Sequence, residues 1–445
     1  MKARAHSMSK ACPETSPSVH IVQVEVSCTH PLLLLKQALP CEAITEAMTR
    51  HWRQHGKNVD GGPGLPWDIS LYVPLVVLML IKTFDSRQME AYVAEHVVAR
   101  VFLGRHCDAQ AQIRDHSNIA RAYAALGKAG VDEVNHLVLK EAHRYGFIDE
   151  GVLSADTTAQ ELPIGYPNEP GILRGLAQRC GRALTQLGKR GLCGLDRAQE
   201  QVQTILRSIK EHHLFTTGKA DKREVLTRIL TEVGALIVQT RPLVERLETS
   251  ADRVIQSARA RLLAMHEVIK PLIGQIVQWI STEKVAANKI VHVGIPQARA
   301  IVRNKSGKKT EFGLAYLISR VGGGYLFGER IAANADERQM PLKALWGYRA
   351  IFGQEATPEL VVYDRGGDAA ATRQRLALAG IKEVGIQPKG KRPWSVAEGV
   401  REQICSERGR TEGSIGTLKS NRYKFNKPQE RLWQTLEMAG PRSIL

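Results

Sequence analysis

The sequence predicts an α/β fold in which a mixed sheet core is assembled from two separated stretches of chain. Three observations predict it. Strand-like apolar runs occur at 151–170 and again at 289–425, the stretch between them is almost entirely helix-like, and the periodic segments before residue 150 are helical. The domain reading follows: a tail with one helix at 1–64, an all-α domain at 65–150, a core at 151–170 and 289–425, a helical insertion after the first strand at 171–288, and a C-terminal helix or tail at 426–445. A chain of 445 residues suits two or three such units.

Taken in order, Cys41 to His55 reads as a helix, closed by the Gly- and Pro-rich linker "GKNVDGGPGLP". "LYVPLVVLMLIKTF" reads as a buried helix, since 11 apolar-dominated residues fall short of the roughly 20 needed to span a bilayer. "DSRQMEAYVAEHVVARVFLG" follows with Asp85 or Ser86 as cap. "DHSNIARAYAALGKAG" has Asp115 as cap and Gly130 as stop, and "VDEVNHLVLKEAHRYG" completes a small bundle. The core opens with "GVLSADTTAQELPIGYP", a short apolar strand ending at Asp156. Pro242 and Pro271 mark boundaries or kinks in the helical stretch. Strands then return as "KIVHV", a hairpin around the basic "NKSGKK", and "YLFGERIA" after the "GGG" turn, with a helix over Pro341 to Phe352. "ELVVYD", "RGGD", "AAATRQRLALAG" and "IKEVGIQP" form a βαβ unit with Asp364 ending its first strand and Asp368 capping its helix. The last element is a helix through "RGRTEGSIGTLK".

Hydrophobic content of 43% with 24% charged residues is ordinary for a globular protein, so disorder is not expected. The formal net charge is +17, and from Lys289 onward 27 Lys and Arg face 15 Asp and Glu. A basic excess concentrated in the last third favours an anionic polymer as partner. Seven dispersed cysteines without a CxxC pair read as reduced thiols of a cytoplasmic protein, with no secretory segment and no membrane partner.

Three acids stand out by position: Asp156 and Asp364 at strand ends, and Glu412 alone among six Lys and Arg residues in "RGRTEGSIGTLKSNRYKFNKP". One order of elements brings such groups together: an acid on the first strand, one on the fourth strand of the same sheet, and one on a helix packed across it. Converging carboxylates repel unless cations lie between them, and hard oxygen donors suit Mg²⁺. On a helix turning about 100° per residue, Arg408, Glu412 and Lys419 share one face, with Ile415 and Leu418 beside it. Glycines 409, 413 and 416 weaken that helix by about 1 kcal/mol each, which close approach of a polyanion would explain. Taken singly, each acid reads as a turn, cap or surface residue. It is the combination that points to a site.

These blocks resemble the DDE transposases of bacterial insertion sequences, most closely the ISNCY-type group. "SADTTAQELPIGYPNEPGIL" resembles its first-aspartate motif, "VVYDRGGD" its second, and "RGRTEGSIGTLKSNRYKFNKPQERLWQTLEMAG" its glutamate block. The wider group's Tyr-x2-Arg-x3-Glu-x6-Lys signature is matched by Arg408, Glu412 and Lys419, with Cys405 where the tyrosine would stand. The resemblance covers roughly residues 65 to 445. It implies an RNase H-like core, an N-terminal domain for DNA binding or assembly, and two Mg²⁺ ions, with Mn²⁺ able to substitute. Asp156 is then expected to bridge the ions, while Asp364 and Glu412 each hold one. It further implies cleavage at the element's terminal inverted repeats, attack of the freed 3′-hydroxyl on target double-stranded DNA, a homodimer in the DNA complex, and a nucleoid-associated location.

Arg408 and Lys419 are expected to steady phosphates. Lys389, Lys391 and Arg392 beside Trp394 would hold backbone and stack a base, although Trp394 packed on the sheet edge is the plainer reading. A metal-dependent nuclease of the same fold, and a catalytically inactive transposase-derived DNA-binding protein, are the alternatives; strand-transfer products separate them from a transposase.

Overall fold

The computed structural model describes residues 25–60, 68–82, 84–104, 116–214, 216, 218–305, 308–332, 334–390, 392–394, 396–420 and 425–426. Lys391, Asp115 and the expected C-terminal helix at 427–445 lie outside them. The architecture is mixed α/β, with thirteen helices and an open six-stranded sheet among the described residues.

Six helices precede the sheet: α1 (Pro31–Ala38), α2 (Cys41–Gln54), α3 (Ile69–Lys82), α4 (Ser86–Glu95), α5 (Val97–Phe102) and α6 (His116–Arg144). The run "PLLLLKQA" is thus a helix of its own, begun by Pro31 in the first turn and capped by the His30 ring on Leu32 N–H. Asp85 closes a capping box with Gln88 at the start of α4. Gly130 does not stop a helix. The break in α6 lies at Gly127, where φ is 63°, and Gly130 is buried against the His51 ring of α2, on which a Cβ there would press at 3.1 Å. α3 buries Val73 and Leu75 through Leu80 in this cluster, and among the described residues no single helix is long and apolar enough to cross a membrane.

The sheet begins with β1 (Val152–Glu161) and continues with β2 (Arg299–Lys305), β3 (Lys308–Val321), β4 (Leu326–Ile331), β5 (Leu360–Tyr363) and β6 (Glu383–Ile386). β3 runs antiparallel to β1 along one edge and to β2 and β4 along the other; β5 lies parallel to β1, and β6 parallel to β5. Between β1 and β2 the chain forms α7 (Glu169–Gly188), α8 (Asp196–Leu214), α9 (Lys219–Arg246) and α10 (Arg253–Thr282), which close their own apolar core around Leu173, Ile205, Ile229 and Leu262. Pro242 and Pro271 are accommodated inside α9 and α10 rather than ending them.

"KIVHV" is not a strand. Ile290 and Val293 turn into the helical core while Val291 joins the sheet's second cluster, and the Ile290 amide donates to the Gln275 side chain instead of to a neighbouring strand. Asp364 accordingly follows the fifth strand in chain order, because β2 is an additional strand on the outer edge of β3.

Both faces of the sheet are covered. On one lie α11 (Met340–Phe352) and α12 (Ala370–Leu378), packed on Leu153, Ala155, Leu317, Val361 and Tyr363. On the other lies α13 (Glu398–Lys419), unbroken through all three of its C-terminal glycines. Its Ile404 meets Val152, Leu360 and Val362, and its Ile415 and Leu418 meet Leu314, Tyr316 and Ile318.

Candidate active site

Asp156 does not end a strand. It sits mid-way along β1 opposite Ile318 of β3, because the mostly polar residues Thr157 to Glu161 continue the antiparallel ladder. What ends near Asp156 is the parallel pairing on the other edge, which stops at Ser154. That ladder pairs Val152 with Leu360, Leu153 with Val361 and Ser154 with Val362. Asp156 and Asp364 each lie two residues past the last pair of that ladder. Side chains alternate along a strand, so both aspartates share the face of Val152, Ser154, Leu360 and Val362, which is the face α13 covers.

α13 is anchored over this face by a buried hydrogen bond of 2.7 Å from Thr411 Oγ1 to Ser154 Oγ, two residues from Asp156. With Ile404 taken as facing the sheet and about 100° per residue, Thr411, Ile415 and Leu418 fall within about 40° of that direction. Glu407 falls at about −60° and reaches Arg320 on β3 across 2.7 Å, with Arg410 completing the pair. Arg408, Lys419 and Glu412 fall at about +40°, +60° and +80°, on the flank turned away from β3 and toward β5. Cys405, exposed, lies on the same flank.

The carboxylate of Glu412 is exposed and stands 3.7 Å from the Arg408 guanidinium. Among the described residues no group of three or more His, Cys, Asp and Glu is close enough to hold a metal ion. Asp156 and Asp364 thus each follow the end of the β1–β5 pairing by two residues on the same face, and Glu412 stands on the flank of α13, turned to Arg408. The chemistry of the donors, all carboxylate oxygens, suits a hard divalent cation. An exposed i,i+4 ion pair contributes only about 0.3–0.5 kcal/mol, so the Glu412 side chain gives up Arg408 at little cost.

The Asp364 turn is built tightly. Asp364 Oδ1 accepts the Gly366 amide at 2.8 Å, and the turn Arg365–Gly367 leads to Asp368. A Cβ on Gly367 would lie 2.6 Å from the Tyr363 ring, so only glycine fits. Asp368 is not a helix cap: Ala369 holds that position without a side-chain bond. Its carboxylate, 1% exposed, pairs with Arg373 at 3.0 Å and with Arg392, and accepts the Lys389 amide at 2.7 Å. Burial alone would raise its pKa; the Lys389 N–H and the Arg373 guanidinium outweigh it, and the group is held below the ordinary carboxylate range.

The expected DNA contacts divide on the same geometry. Lys389 brings its ammonium to the Gly366 carbonyl at 3.2 Å, in the Asp364 turn itself. Arg392 is 62% exposed while tied to Asp368. Trp394 is half-buried against the cluster of Val152, Leu360, Val362 and Ile404, and the Arg401 guanidinium lies 5.6 Å from its ring centre. Its indole packs the sheet edge.

One acid near the site escaped the sequence reading. Glu337 stands in a short 3₁₀ turn between β4 and α11. A Cβ on Gly366 would lie 2.2 Å from a Glu337 carboxylate oxygen and 2.8 Å from Asp364 Oδ1. The two oxygens thus stand within about 5 Å of each other, where like charges repel appreciably. Tyr363, 1% exposed, lies on the opposite face of the sheet under α11, with its hydroxyl beside Thr157. Burial pushes this phenol up, and Asp364, Asp156 and Glu337 push it the same way. The only local signal for Glu337 was the consecutive glycines after Asp364, which mark a crowded turn without naming the neighbour.

No family model, curated protein or solved structure matches this chain. The site must be read from its own chemistry.

Proposed function

We propose that the chain is a DDE transposase with an RNase H-like core, cleaving the ends of an insertion sequence and joining them to target DNA. The observation that supports the reading is the parallel pairing of β1 with β5, whose last pair, Ser154 with Val362, stands two residues before Asp156 and Asp364 under the helix that bears Glu412. The sheet supports the core assignment: β4, β3 and β1 are successively antiparallel, and β5 and β6 extend the other side in parallel.

Asp156, Asp364 and Glu412 would hold two Mg²⁺ ions, or Mn²⁺ in their place. Such ions, when bound, stabilise the charge on the attacking and leaving oxygens of a phosphoryl transfer. The chain's own part is to position them and the DNA. The β1–β5 register fixes the two aspartates on rigid strands, and the Thr411–Ser154 bond fixes the height of α13 above them. Arg408, released by Glu412, and Lys419 on the same flank would take phosphates of the cleaved strand, while Lys389 and Arg392 hold backbone at the Asp364 turn. The basic last third favours a DNA partner whose binding weakens with salt. Two ends must meet in one complex, so a homodimer on DNA is part of the reading, with the N-terminal helices available for end recognition or assembly and a nucleoid-associated, cytoplasmic location.

The test uses a labelled duplex carrying the sequence that flanks the gene as its terminal repeat. Cleavage and strand-transfer products that require Mg²⁺ or Mn²⁺, stop with EDTA, and vanish in Glu412→Gln while DNA binding persists are the expected outcome. Binding without cleavage under any condition would leave only a DNA-binding derivative. Cleavage without joining would make the chain a nuclease.

A further inference from the structure

We propose that Arg179, Arg182 and Arg261 of the helical insertion form a phosphate-binding site that grips the backbone of the DNA duplex beyond the Glu412 helix. The inference deepens the transposase reading and rests on it for the identity of the duplex. Binding of DNA phosphates by the three arginines is tested without any cleavage.

Two helices and a loop build the site. Arg179, Arg182 and Gln186 recur at i, i+3 and i+7 on α7, which sets them within about 60° of one another on one flank. Arg261 of α10 reaches that flank, its Nη1 donating to Gln186 Oε1 at 2.9 Å. The loop after α10 then lays Gly294 on Arg179. A Cβ at 294 would lie 2.6 Å from the guanidinium carbon, so any side chain there would push the arginine away.

The first argument is an uncompensated charge. Arg179 is half-buried. Among the described residues neither it nor Arg182 makes a hydrogen bond or ion pair, and Arg261 has only the neutral Gln186. Burial, Arg182 and Arg261 all lower the Arg179 pKa, and no acid opposes them. Other arginines drawn into the fold are tied: Arg320 to Glu407, Arg373 to Asp368, and Arg349 to the Ala356 and Ala379 carbonyls. Taking a charge from water without a partner costs several kcal/mol, which an anion bound across the three guanidiniums offsets. Their planar forks match phosphate oxygens.

The second argument is His292, on the same loop as Gly294. Its Nδ1 is buried and unbonded, at a cost of about 1–3 kcal/mol. Burial depresses its pKa, and Arg179 is the one charged group that adds to the shift, so the ring beside Arg179 is neutral and can donate. A phosphate oxygen is an acceptor for both.

The third is position. Ile290 and Val293 of this loop face the helical core, while Val291 and Ile295 join the cluster of Ile415 and Leu418. The loop therefore lies between the insertion and the end of α13, where Lys419 stands. A duplex whose phosphates meet Arg408 and Lys419 is carried on to the insertion by the arginines.

The experiment measures binding of full-length protein to a labelled duplex by fluorescence anisotropy, in EDTA and across a range of salt. Wild type, Arg179→Gln, Arg182→Gln, the double variant and Lys210→Gln are compared, Lys210 being an exposed cation of α8 outside the cluster. Melting curves show that each is folded; Arg182 is exposed, so its variant carries the test even should Arg179→Gln fail to fold. The expected result is a slope of log affinity against log salt that is shallower by about 0.9 for each arginine lost, with binding weakened several-fold. Lys210→Gln keeps the wild-type slope. An unchanged slope in the arginine variants, or an equal fall in Lys210→Gln, overturns the proposal. Inorganic phosphate that raises the melting temperature of wild type but not of Arg179→Gln, with all duplex slopes equal, assigns the cluster to a small phosphate and overturns it too. Shallower slopes in a protein that never cleaves DNA would keep the site and remove the transposase reading. Cleavage and joining with slopes unaltered by the variants would do the reverse.

Discussion

Asp364 and Asp368 stand four residues apart on one turn, and the fold treats them in opposite ways. Asp368 is buried and locked by Arg373, Arg392 and the Lys389 amide. Asp364 lies near Glu337, has no ion-pair partner among the described residues, and spends one oxygen on the Gly366 amide. The same contrast recurs on α13, where Glu407 is buried between Arg320 and Arg410 while Glu412, five residues on, is exposed. A carboxylate already neutralised by the chain holds structure together. One left uncompensated beside another is available for chemistry, and is a liability to stability until something positive binds.

That contrast is broken most severely at Asp364. Asp364→Asn is expected to cut metal-dependent strand transfer by about a thousandfold or more, since several kcal/mol of charge stabilisation go with the ligand. Its metal-free melting temperature should stay level or rise, as one of two repelling charges is gone. Arg320→Met does the opposite. It leaves Glu407 buried with its main partner removed and should cost about 3–5 kcal/mol in urea unfolding, far more than any surface change on α13.

The pH dependence sharpens the comparison further. The folded pKa of Asp368 is depressed, so its contribution is present above the unfolded value and is lost as pH falls through the folded one. The stability gap between wild type and Asp368→Asn should therefore be constant above about pH 5 and shrink steadily below about pH 4, as measured by urea midpoints across that range.

The smallest effect is expected at Gly413. Nothing lies within 4 Å of a Cβ there, so Gly413→Ala should stabilise the protein by about 1 kcal/mol. If the glycine serves close approach of DNA, duplex affinity falls in the same variant; unchanged affinity would remove that role.

How much of this was legible in the sequence depended on how local each cause was. The strand, turn, helix and strand from 359 to 386 carry their own signals in "VVYD", the paired glycines and Gly380, and those elements are present. The extent of β1 was not legible, because Thr157 to Glu161 look like loop residues and become strand only when β3 lies against them. "KIVHV" failed for the converse reason: an apolar run was shared between two cores rather than paired. Asp368 was mistaken for a cap because arginines at 373 and 392 come to it only through the fold. Glu337 is the sharpest case. "DERQ" has no pattern that distinguishes it from a solvated turn, and only Gly366, 29 positions later, reveals what it approaches. The residues Asp156, Asp364 and Glu412 were found by position in three separate blocks, whereas their relation came from a register that no single block contains.

The most direct test of the central claim is to assay Mg²⁺-dependent cleavage and joining of a labelled terminal-repeat duplex by wild type, Asp364→Asn and Asp368→Asn side by side. Temperature is kept low enough that all three are folded. The account predicts that Asp364→Asn binds DNA but yields no product, and that Asp368→Asn, though less stable, still cleaves and joins. Activity that survives in Asp364→Asn would contradict it.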